Sequence, residues 1–147
     1  MTNKTYATVL EIYNNNIGSE HLYKRDCCPS MVYTDGVMDF AEVLNAHWLI
    51  DMVYGYMYRV VENYNQTKDY FYVVQVAVKH NYQGYFEIYH EGYIDGKYNE
   101  HIPVVKQKIP FFDLPFNIEE KITKYQFFLE LDSDNPLRFI FMLPREH

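Results

Sequence analysis

Cysteine is nearly missing from this chain. Its 147 residues hold two, Cys27 and Cys28, side by side. A bridge between neighbours is strained and one pair makes no disulfide framework. The expectation is two reduced thiols in a cytoplasmic protein. Basic charge is also scarce. Lys and Arg number 13 against 20 Asp and Glu, a formal charge of −7. That excludes a globally basic nucleic-acid binder, though not a local basic strip. Long apolar runs are missing as well. The longest, Ala46 to Val61, carries Asp51 and Arg59 and is shorter than the roughly 20 residues of a membrane span. Met1 to Asn16 shows no apolar run behind a basic region, so no leader is expected. Catalytic motifs are absent too: no Gly-x-Ser-x-Gly elbow, no phosphate-binding Gly-rich loop, no Cys-x-x-Cys. The three serines, Ser19, Ser30 and Ser133, fall in expected turns or loops.

What the chain has is apolar and aromatic bulk. Hydrophobic residues make up 48%, with 16 Tyr and 10 Phe. A chain of this size forms about one domain and buries about two-thirds of its unfolded surface, enough for a core without staples. We expect a single domain over residues 1–147.

Tyr6, Val9, Leu10, Tyr13 and Ile17 recur at helical spacing, with Thr2 or Asn3 as cap. Ser19 to Ser30 reads as a surface loop. Thr34 or Asp35 caps a second helix whose apolar face is Val37, Phe40, Ala41 and Leu44. Asn45 marks a break. A longer helix follows from Trp48 and ends near Glu62-Asn63; it is apolar on much of its circumference and should be central. After Lys68 the period changes to two. Strands are expected over Tyr70 to Lys79, Tyr85 to Tyr93, His101 to Ile109, Ile122 to Leu131 and Leu137 to Leu143. Asp95-Gly96 is a turn signal, and Pro103 points to an edge or a bulge. The Pro110 to Phe116 loop should plug one end of the sheet. Helices first and strands after argue α+β: N-terminal helices on one face of an antiparallel sheet of about five strands.

Val32-Tyr33-Thr34-Asp35-Gly36-Val37, Ala41-Glu42 and Ala46-His47-Trp48-Leu49-Ile50-Asp51 follow one another in the front half. Asp95-Gly96, Gln107 to Pro115 and Met142-Leu143-Pro144-Arg145-Glu146 follow in the back half. In order and spacing this set resembles an uncharacterised domain family of bacteria, plasmids and phages. The chain departs from it at Arg25-Asp26-Cys27, where the family often has His-Pro, and at Asn45, where it often has Gly. The resemblance implies a small intracellular domain of mobile elements and no reaction or cofactor.

Three groups of residues are candidates for function. If Phe86 and Ile88 face the core, then Tyr85, Glu87, Tyr89 and Glu91 face away, and tyrosine among charges suits a binding surface. Cross-strand stabilisation is the structural alternative. Lys106 and Lys108 on the same side could meet RNA, but Glu87 and Glu91 argue against that contact. Asp39 and Glu42, with Asp35, form an acidic ridge at a helix start, suited to a basic groove. His47 and Asp51 stand four apart on a helix face, and with Asp113 they are the one set that could serve a metal-dependent or hydrolytic enzyme. The expectation is a non-enzymatic protein without metal or cofactor that binds a protein or ribonucleoprotein. Its sharpest form is an anti-CRISPR inhibitor of an RNA-guided effector nuclease or its guide RNA. A subunit that self-associates through its sheet is a further alternative.

Overall fold

A computed structural model describes residues 5–16, 18, 21–25, 30–110, 113–136 and 138–147. The expectations for Thr2, Asn3, Ile17, Ser19, Cys27, Cys28, Phe111, Phe112 and Leu137 lie outside the described residues. The elements run α1 (Tyr6–Asn15), β1 (Leu22–Lys24), β2 (Met31–Thr34), α2 (Asp35–Val43), α3 (His47–Thr67), β3 (Phe71–Lys79), β4 (Gly84–Ile94), β5 (Lys97–Ile109), β6 (Ile122–Leu131) and β7 (Phe139–Met142). A 3-10 turn, Pro144–Glu146, follows.

The class is α+β, but the sheet differs from the expectation in two ways. It has seven strands, ordered β1-β2-β7-β6-β3-β4-β5, and it is mixed, because β2 pairs parallel to β7. The additional strands lie in the stretch where the pattern was weakest. β1 is three residues of edge strand with two exposed side chains, so it has no apolar face to show. β2 is buried at all four positions and therefore does not alternate. α3 also runs beyond Asn63 to Thr67, where Lys68 in the left-handed region donates its N–H to Tyr64 O at 2.7 Å. Its last turn is solvated and carries no apolar signal.

All three helices among the described residues pack on one face of the sheet. Tyr6 and Phe40 meet Tyr125, Tyr13 and Phe40 meet Phe127, Tyr56 meets Phe86, and Tyr64 meets Phe139. These ring partners belong to one alternation set, with Tyr72, Val74, Val76 and Ile88. α3 is the central helix and buries Leu49, Ile50, Val53, Tyr54, Met57 and Val60. Leu114 is buried and Tyr125 OH donates to Pro115 O, so this part of the loop closes the sheet end.

Two local rules hold at atomic detail. Thr34 caps α2, its Oγ1 accepting from Val37 N at 3.4 Å. Asp95 (φ 52°) and Gly96 (φ 79°) join β4 to β5 as a two-residue turn, with positive φ at both positions as its hand requires. Pro103 lies on the edge strand, beside a register shift between Ile88 and Tyr89.

The C-terminal turn meets the start of α2. The Glu146 carboxylate accepts from Thr34 Oγ1 at 2.6 Å, Gly36 N at 3.0 Å and Leu143 N at 2.9 Å. A Cβ on Gly36 would stand 2.4 Å from Glu146 Oε1, so this position has no room for a side chain. Glu146→Ala should cost about 2–3 kcal/mol, because it leaves charge-assisted donors unpaired. That is a fall of roughly 5–10 °C in Tm for a chain this long, read by thermal melting.

Burial pushes the phenols of Tyr13, Tyr72 and Tyr125 far above the ordinary tyrosine range, with neighbouring phenols or Asp69 adding to it. The unfolded chain releases these protons near pH 10 and the folded chain holds them. Stability is therefore complete below about pH 10 and falls above it, by up to ~1.4 kcal/mol per pH unit for each such residue. Absorbance titration should show these phenolates appearing only together with unfolding.

Candidate binding face and the clefts beside it

Among the described residues, no α-helix lies on the opposite face of the sheet. The register places its side chains in rows. Lys124, Ala77, Tyr85 and Lys108 form one row across β6, β3, β4 and β5; Gln126, Gln75, Glu87 and Lys106 form the next; Phe128, Val73, Tyr89 and Pro103 form the third. With strands about 4.8 Å apart, each row is about 14 Å wide.

The middle of this face is a bonded platform. Gln126 Nε2 donates to Gln75 Oε1 at 2.8 Å and lies 3.4 Å from Tyr89 OH, while Gln75 Nε2 donates to Tyr85 OH at 3.5 Å. Glu87 lies beneath, with a side chain only 3% exposed, and its Oε1 is 2.8 Å from Nε2 of the half-exposed His101. The His101 ring stacks on Tyr89 at 3.9 Å. Burial, and then the Glu87 carboxylate, hold the Tyr89 phenol above its usual range. Lys106 Nζ stands 4.6 Å over the Tyr85 ring. At the far end, the His147 ring rests on Phe71 and Phe128, with its Nε2 2.7 Å from Glu130.

Tyr85, Glu87, Tyr89 and Glu91 thus share one side, in the order that alternation predicts. Glu87 does not point outward as a free acid; it is buried and held by His101. Glu91 is exposed at the other end of β4, where it accepts from Tyr98 OH. Asp39 and Glu42 do not join these residues. α2 packs on the helix-bearing face, so the sheet stands between them and Tyr85. Asp39 is half-buried and accepts from Asn16 Nδ2 at 3.1 Å. His47, Asp51 and Asp113 are all exposed, and Asp51 pairs with Arg25 at 3.0 Å. No group of three His, Cys, Asp or Glu that could hold a metal comes together among the described residues.

Sequence reasoning missed His101 and His90. His101 has no signal in the pattern, because the register shift at Pro103 is what brings it beside Glu87. His90 alternates into the core, 4% exposed, at a cleft of about 460 Å³ with Asn63, Thr67, Tyr93 and Ile102. Its Nδ1 is 2.7 Å from Asp69 Oδ2 and 3.1 Å from Glu91 O, two groups that only accept, so Nδ1 carries the proton. A ring held this way can serve as a base through Nε2. The Thr67 hydroxyl is turned to Asn63 and to the Asp69 N–H, and supplies no nucleophile to it.

Burial separates the two glutamates of β4. Glu87→Ala should destabilise by about 1–3 kcal/mol, since it removes the partner under His101. Glu91→Ala should change stability by about 0.5 kcal/mol or less. Thermal melts of the two variants check this, and equal effects would mean that Glu87 is solvated.

Among the described residues, no helix is long and apolar enough to cross a membrane. No curated protein and no solved structure matches the chain. One family model does match, over residues 8–147, and its description is a family of unknown function. The match takes in the capped start of α2, the bare sheet face and the C-terminal turn alike, and the chain belongs to this family, DUF6876.

Proposed function

We propose that the protein is a non-catalytic binding protein and that the bare sheet face is where it meets a macromolecular partner. The observation that supports this most is the platform of Gln75, Tyr85, Tyr89 and Gln126 around the buried Glu87. Rings and amides fixed by one another lose little entropy on contact, which is what a recognition surface needs. The family resemblance sharpens the reading to inhibition of an RNA-guided effector nuclease, through its protein or its guide RNA. The enzyme alternative has less support: His47, Asp51 and Asp113 stand exposed, with Asp51 already paired.

Photo-cross-linking in cells tests this reading. Benzoylphenylalanine replaces Tyr85 or Tyr89 on the sheet face, or Glu42 on α2. We expect adducts to another macromolecule from the sheet positions and none from Glu42. Adducts from Glu42 alone would move the site to the acidic ridge. Adducts only to a second copy of the chain would favour self-association.

A further inference from the structure

The bare face is electrically uneven. Lys79, Lys106, Lys108 and Lys124 are all exposed and all stand at one end of it, around Tyr85. Among the described residues none of the four is in an ion pair; the cations of the salt bridges there are arginines and histidines. In a chain with seven more acids than bases, four unpaired lysines on one end of one face are a concentrated exception. The acids of the strands on this face are elsewhere or neutralised: Glu87 is buried against His101, Glu130 is beside His147, and Glu91 is at the other end of β4, while Glu119 and Glu120 are exposed in the loop before β6. Lys79, Gln83, Gly84, Tyr85, Lys106 and Lys108 line an open cleft of about 400 Å³. Aromatic surface lies alongside the lysines. Tyr85 is half-buried beneath Lys106, and the half-exposed His101 lies flat on Tyr89. At the same end, where β3 turns into β4, His80 stacks on Phe116 at 4.7 Å and Tyr82 meets Phe116 edge-on.

We infer that this end of the face binds single-stranded nucleic acid. The lysines contact phosphates, and bases stack on Tyr85 and His101. The inference rests on the reading of the bare face as the binding surface and names the partner's chemistry. A single strand fits better than a duplex, because stacking needs an open base face and a row here is only about 14 Å wide. Nothing in the patch is built to read base edges, so binding should be tolerant of sequence.

The test is fluorescence anisotropy with labelled 20-nucleotide dT and U strands and the matching duplex, at several salt concentrations. We expect saturable binding of the single strands, at least tenfold tighter than of the duplex. Log affinity should fall against log salt with a slope of about −3 for four phosphate contacts, and about −1.4 after Lys106→Gln with Lys108→Gln. Tyr85→Ala should weaken binding at least fivefold. The lysines make no salt bridge and Lys106 loses only its exposed contact over the Tyr85 ring, so the lysine variant should melt within about 3 °C of the parent, which separates lost binding from lost fold. Absence of binding at 50 mM salt, or binding that these variants leave unchanged, overturns the inference. Cross-links from Tyr85 that run to protein and survive nuclease overturn it too, while leaving the face as the binding surface. Cross-links from neither sheet position overturn both.

Discussion

A carboxylate three atoms from a backbone decides how this chain closes. Glu146, in the last turn, accepts hydrogen bonds from the Thr34 hydroxyl, the Gly36 amide and the Leu143 amide together. Thr34 ends β2 and caps α2; Leu143 directly follows β7. The one carboxylate therefore ties the parallel β2 and β7 pair to the first turn of the helix that covers it. Negative charge at that helix start is favoured by the unpaired amides there. A Cβ at Gly36 would displace the carboxylate, which occupies its space. Thr34-Asp35-Gly36 and Leu143 to Glu146 are the front and back of the family pattern. The contact gives both stretches a structural role in this chain.

With the three described α-helices on one side, the sheet divides its alternation into a sealed half and an open half. The sealed half is Tyr72, Phe86, Phe127, Phe141 and their neighbours, each with essentially no exposure. The open half has no helix on it among the described residues, and its side chains settle among themselves: amide to phenol, imidazole on phenol, and a carboxylate buried under both. Burying Glu87 is costly unless it is paired, and His101 is what offsets that cost. This arrangement stiffens the middle of the face and leaves the lysines at its end free to reach a ligand.

How much of this could be read from residues alone depended on whether the local pattern was decisive. β6 was legible to the residue, because Thr123, Tyr125, Phe127 and Leu129 alternate without interruption. The Asp95-Gly96 turn was legible because few residue pairs accept positive φ twice. β1 and β2 were not: one is too short and polar, and the other is buried on both faces and pairs with a strand over a hundred residues later. The outward side of Tyr85 to Glu91 followed from alternation. The state of Glu87 did not, since its burial depends on His101 reaching it past the irregularity at Pro103. Glu87 therefore adds less negative charge to this face than alternation assigned to it, while Glu91 is exposed as expected.

An acidic protein with a basic end on one face has a further property. At physiological ionic strength, charges more than about 8 Å apart are largely screened. A short strand lying along Lys124, Tyr85 and Lys108 interacts chiefly with those residues, while the distributed negative charge of the remaining surface is damped. A long or rigid polyanion extends past the row and meets that surface directly. Net charge thus acts as a filter on the shape of the ligand rather than as a bar to anions. It disfavours loose association with bulk duplex and leaves a small, stacked contact as the favourable mode.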